Sequence, residues 1–142
     1  MIYHFKIDGK PQPKQRPRVS SGHFYTPQKT SDYESLVGWS YLKESGKKLD
    51  GPIWIYIIIK VKIPKSRNEL KPGMYHIQKP DLDNIMKSIC DGLNGIAYVD
   101  DSQICSSIVE KIWDNEDGVE VFIKELEGDY NGREKNVFDE DL

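Results

Sequence analysis

Only two cysteines occur in the chain, Cys90 and Cys105, and neither has a CxxC companion or a nearby histidine. That spacing excludes a disulfide framework and a thiolate zinc site, and both are expected as buried thiols in a reducing cytoplasm. Histidine is scarce as well. His4, His23 and His76 lie far apart and read as strand, loop and surface residues rather than ligands. No Ser/His/Asp or Cys/His grouping offers an activated nucleophile. No apolar run reaches the ~18 residues of a membrane span, and the opening MIYHFKIDGK lacks the layout of a secretion signal. A cytoplasmic protein with no membrane role is expected. No internal repeat is visible. What is present is a 142-residue chain, 30% charged, which fits one ordinary globular domain.

The net charge of −3 conceals strong local imbalance. Residues 1–48 carry nine Lys/Arg against four Asp/Glu, and residues 60–79 carry six against one. Between and after them the sign reverses: residues 81–101 hold five Asp against Lys87 alone, and residues 102–142 hold twelve acids against four bases. Two basic segments therefore flank a compact acidic island. Such a pattern suits a nuclease, because phosphates settle on the basic part and metal ions on the acidic part.

Periodicity divides the chain into elements. Residues 2–8 alternate, with Tyr3, Phe5 and Ile7 on one side, and predict a strand. The stretch KPQPKQRPR, Lys10 to Arg18, has three prolines and four cations, so it should be extended and exposed. Ser31 and Glu34 form an S-x-x-E capping box for a helix with Tyr33, Leu36, Val37 and Tyr41 on its apolar face. IWIYIIIKVKI, residues 53–63, is the clearest strand. A loop at 70–80 leads to a helix from Asp83 to Leu93, striped by Ile85, Met86, Ile89 and Leu93 and closed by Asn94-Gly95. Strands at 103–112 and 119–126 are expected as a hairpin turning over Asp114–Gly118. The order β-α-β-α-β-β implies an α+β fold: one small domain over residues 1–127, a mixed sheet with two main helices. Residues 128–142 form a polar, acidic tail with the composition of a disordered segment.

The chemistry is concentrated between Lys79 and Gln103. Asp81 and Asp83 stand at a helix N-terminus, and Asp83, Lys87 and Asp91 recur at i, i+4 and i+8 on the face away from the apolar stripe. Asp100 and Asp101 return before the next strand. Each has an ordinary explanation: a helix cap, an exposed ion pair, a turn residue. Together, five aspartates within 21 residues with one base suggest a site for a hard cation. Were Asp81, Asp83 and Asp101 to converge, each pair ~4 Å apart would repel by about 4 kcal/mol at an effective dielectric near 20. A cation would have to relieve that repulsion.

The segment KPDLDNIMKSICDGLNG followed by DDSQI resembles the core signature of the RusA family of Holliday-junction resolvases, D-x-D-N-x-x-K-x-x-x-D-x-L and then DD-x-Q. The opening GKPQPKQRPR with YTPQKTSDYE is similar to the phage and Gram-positive branch. The resemblance covers roughly residues 5–125. It implies a homodimeric endonuclease that nicks four-way DNA junctions symmetrically with Mg²⁺, Mn²⁺ substituting, in recombination and repair. Carried over, Asp81, Asp83 and Asp101 match the metal carboxylates and Lys87 the catalytic lysine, with Asp91 and Asp100 in supporting acidic positions. Charge alone assigns DNA contact to Lys14, Arg16 and Arg18, flanked by Lys10 and Lys79. The competing reading is a non-catalytic DNA-binding module whose aspartates are caps; a metal-buffering protein or small phosphoesterase ranks third.

Overall fold

A computed structural model of the chain describes residues 1–127; the proposed acidic tail, 128–142, lies outside them. The elements are β1 (Tyr3–Asp8), β2 (Arg18–Ser20), β3 (His23–Tyr25), α1 (Gln28–Glu44), β4 (Ile53–Lys62), α2 (Leu82–Leu93), β5 (Ile104–Asp114) and β6 (Gly118–Glu125). A short 3-10 turn over Asp101–Gln103 precedes β5. The α+β class and mixed sheet are as expected. The expected order β-α-β-α-β-β lacked the small β2–β3 hairpin.

The main sheet has the order β1-β6-β4-β5. β6 runs antiparallel to both β1 and β4, whereas β5 is parallel to β4. A parallel pair needs a long crossover, and α2 supplies it. β4 takes a central place because its odd positions, Ile53, Ile55, Ile57 and Ile59, are fully buried against the helices. Each such side chain is worth about 1.5–3 kcal/mol over an exposed one.

The predicted β5–β6 hairpin is not formed. β4 lies between the two strands, and the connection crosses over its end. The Lys62 N–H donates to Asp117 Oδ1 (2.8 Å) and the Ile63 N–H to the Asp114 carbonyl (3.0 Å), which seals the crossing. A short polar link with one glycine looks the same in sequence whether it closes a hairpin or straddles a strand.

The α1 start also differs. Pro27 occupies the N-cap with no side-chain cap, and Ser31 is already inside the helix, so the Ser31/Glu34 capping box does not exist. Proline's fixed φ suits a helix start, and it begins the helix a turn earlier. Tyr33, Val37 and Tyr41 are buried as expected, but Leu36 faces out with Trp39 and Leu42. Cys90 is buried and Cys105 is exposed, correcting the expectation for the second thiol. His76, expected at the surface, is buried against Trp113, and His23 lies in β3 rather than a loop.

α1 and α2 touch backbone to backbone. A Cβ on Gly92 would lie 2.8 Å from the Glu34 carbonyl oxygen, and one on Gly38 3.0 Å from the Gly92 oxygen. These two glycines set how closely the helices approach, and so where the polar face of α2 sits. Among the described residues no helix is long and apolar enough to cross a membrane.

Candidate active site

The apolar stripe of α2 fixes its orientation. Ile85, Ile89 and Leu93 are buried and Met86 packs at their border, so Asp83, Lys87 and Asp91 are turned to the opposite side. Asp81 occupies the N-cap position of α2 with φ −68° and ψ 142°, yet its carboxylate makes no capping hydrogen bond. Asp83 lies in the first turn and is exposed. Two carboxylates thus stand at the positive end of the helix dipole, a favourable place for negative charge, and Asp81 is not engaged as a cap.

Lys87 ties the helix to the turn before β5. Its Nζ lies 2.9 Å from Asp91 Oδ1 and 3.7 Å from Asp101 Oδ2. The hydrogen bond that Lys87 donates to Asp91 raises the Lys87 pKa above its ordinary value despite partial burial. Lys87 is therefore a fixed positive charge at neutral pH. Burial alone would raise the Asp91 carboxyl, but hydrogen bonds from Lys87 and Lys14 outweigh it and hold it below the usual range.

Lys14 belongs to this cluster rather than to an open basic arm. Its Nζ bonds Glu34 and lies 3.0 Å from Asp91 Oδ2. The extended Lys10–Arg18 segment is docked on α2: the Lys14 N–H donates to the Asn84 carbonyl (2.9 Å), and the Ser88 hydroxyl to the Gln12 carbonyl (2.6 Å). Beyond that anchor the chain leaves as the β2–β3 hairpin, exposed along its length. Ser21 and Gly22 both have positive φ, 53° and 80°, the requirement of a type I′ turn. Arg16 and Arg18 are exposed at its root, and Lys10 and Lys79 are exposed as well.

Asp101 is placed by Gln103. That side chain uses all its hydrogen-bonding capacity: its amide nitrogen donates to the Leu49 and Gly51 carbonyls, and its oxygen accepts from the Val99 and Asp100 N–H groups. The Asp101 N–H donates to Asn94 Oδ1 (3.1 Å). Asp100 has the bland role: its carboxylate accepts from the Ser102 N–H in a capping box, and that bond lowers its pKa.

Asp81, Asp83 and Asp101 do not gather into one cluster. Among the described residues no group of three or more His, Cys, Asp or Glu side chains is close enough to hold a metal. The donor chemistry still fits a hard cation, since every candidate is a carboxylate oxygen. Mg²⁺ commonly takes one or two protein carboxylates, completing its shell with water and substrate phosphate. A cleft of about 600 Å³ opens beside Asp81 and is lined by His76, Gln78, Lys79 and Glu110 among others.

The model of the family described as Endodeoxyribonuclease RusA matches residues 8–124, from the end of β1 into β6. The chain belongs to the RusA endodeoxyribonuclease family. The match takes in both helices, the hairpin and the whole of the acidic segment. An uncharacterised Bacillus subtilis protein, YqaN, is 31% identical over 137 residues, covering 86% of this chain and 95% of that one. RusA membership makes the chain one of a family of endodeoxyribonucleases, which supports nuclease activity. The motif contains Gln103, but its clamp on Leu49 and Gly51 is legible only once these are neighbours; the residue that motif reading passed over is Lys111, a buried lysine beside the Asp81 loop.

Proposed function

We propose that this RusA-family chain is a Mg²⁺-dependent endonuclease that resolves four-way DNA junctions by paired symmetric nicks, acting as a homodimer in recombination and repair. The observation that carries it is Lys87: one lysine joined to carboxylates from two elements, Asp91 on α2 and Asp101 before β5, beside Asp81 and Asp83 at the helix start.

Asp81, Asp83 and Asp101 would hold the metal, with Mn²⁺ as an acceptable replacement. When bound, Mg²⁺ supplies Lewis-acid polarisation of the scissile phosphate. Lys87, protonated and aimed by Asp91, donates to a phosphate oxygen as negative charge develops. Lys14 neutralises the second oxygen of Asp91, which leaves Lys87 free to turn toward substrate. Arg16 and Arg18 supply phosphate contacts at the hairpin root. Two active sites related by a twofold axis match a junction that must be cut twice.

The absence of a preassembled carboxylate trio among the described residues favours a second reading, a DNA-binding module without catalysis. Incubating the protein with a synthetic four-way junction, in Mg²⁺ or in EDTA, separates them on a denaturing gel. Two symmetric nicks in Mg²⁺ and none in EDTA are expected. Tight binding with intact strands under both conditions would leave only the module.

A further inference from the structure

The loop that delivers Asp81 is strapped along the outer edge of β5. The Gly73 N–H donates to the Trp113 carbonyl and the Trp113 N–H to the Met74 carbonyl, both at 2.8 Å. The His76 N–H donates to the Lys111 carbonyl at 2.9 Å. With Tyr75 opposite Ile112, this is a short antiparallel ladder. Its last rung is at His76, five positions short of Asp81.

Beyond that rung a side chain takes over from the backbone. Lys111 Nζ donates to the carbonyls of Gln78 (2.5 Å) and Pro80 (2.6 Å). The acceptors straddle Lys79, and the second immediately precedes Asp81. Lys111 is 8% exposed and pairs in register with the fully buried Ile59. An ammonium withdrawn from water there is costly, and the two carbonyls together with the negative charge of the nearby Asp81 compensate only in part. A methionine would fill the same space without that cost, so packing does not account for the charge.

We propose that Lys111 is a positioning residue of the cleavage site. It holds the Gln78–Pro80 carbonyls and thereby fixes the entry into α2, so that Asp81 is presented to the divalent cation in one orientation. This rests on the assignment of Asp81 as a metal carboxylate. Outer groups that orient metal ligands typically change metal affinity or activity about 10–100-fold when removed. Lys111 acts through Asp81 and touches no substrate.

The test uses the full chain with Lys111→Met, which keeps the stem and removes the ammonium, and Lys111→Gln as a second variant should the first not fold. Mn²⁺ binding to the DNA-free protein is followed by electron paramagnetic resonance, and junction cleavage is titrated with Mg²⁺. Junction affinity is measured in EDTA. We expect Mn²⁺ affinity to weaken about tenfold and the Mg²⁺ half-saturation to rise in step, with junction affinity in EDTA within about twofold of the parent. Restoring the side chain as aminoethyl-cysteine, through Lys111→Cys in a Cys90→Ala, Cys105→Ser background alkylated with bromoethylamine while unfolded and then refolded, should return the metal response of that background with Lys111 intact. A folded variant with parent Mn²⁺ affinity would overturn the proposal, as would a loss that follows only the fraction unfolded. If the parent cuts no junction, the functional reading fails by itself, and the DNA-free Mn²⁺ comparison still decides the role of Lys111.

Discussion

At the scale of single residues, five aspartates that look alike in sequence have been sorted by their surroundings. Asp100 caps a turn, Asp91 is neutralised by two lysines, Asp101 shares Lys87 with Asp91, and Asp81 and Asp83 are exposed at the start of α2. Asp83→Asn preserves side-chain size at an exposed first-turn position. The variant is expected to fold, to bind junctions at least as well as the parent, and to cut very little; cleavage at the parent rate in Mg²⁺ would remove Asp83 from the metal site. Lys87→Ala is expected to slow cutting by about 10²–10³ in single-turnover assays, as for loss of one transition-state donor, while binding changes far less. The D-x-D-N-x-x-K and DD-x-Q segments were legible from sequence because the chemistry resides in residue type and local spacing. What Lys14 does was not. Its charge predicted an open phosphate contact, and its partners Glu34 and Asp91 are distant in sequence.

Among the elements, α2 and β4 followed from periodicity, since a buried stripe or an alternating strand is written in consecutive residues, whereas α1 was legible as a helix but not in its start or in the outward face of Leu36. The β2–β3 hairpin was obscured because its strands are three residues each and fully exposed, leaving no burial pattern to read. The interrupted pairing of β5 with β6 was hidden for another reason: which strand lies between two others depends on contacts far along the chain. Helix contact yields a sharp expectation. Gly92→Ala forces a methyl against the Glu34 carbonyl and Val37, and overpacking of this kind costs about 1–3 kcal/mol. Urea unfolding should show the midpoint falling by a matching amount at unchanged slope; a midpoint equal to the parent would show that α1 and α2 can separate freely. The hairpin root is tested by salt. Replacing Arg16 and Arg18 with Ala should weaken junction binding and flatten the dependence on salt by about one unit per lost contact per subunit. An unaltered slope would shift the DNA surface toward Lys60, Lys62, Lys65 and Arg67.

For the whole molecule, the sheet leaves two edges, β1 and β5, and the strap from Gly73 to His76 occupies the far half of β5. The edge of β1 and the stretch of β5 before Val109 are where a second copy can add to the sheet. Light scattering should return twice the 16.4 kDa chain mass at micromolar concentration; a monomer that persists with junction DNA present would exclude paired incision by a preformed dimer.

The central position of β4 also bears on how the protein is made. Its first sheet partner, Ile104, follows Lys62 by about forty residues, and β6 comes later still. A chain emerging from the ribosome therefore carries its most apolar strand with both edges open until nearly all of the sheet has been synthesised. Pairing at such sequence distance is slow, and an open β-branched strand is a template for other chains. Chains stopped before Ile104 are expected to pellet on centrifugation after cell lysis, whereas chains ending after Glu125 stay in the supernatant. Synthesis stalled across the α2 crossover would yield aggregate rather than a partially active nuclease.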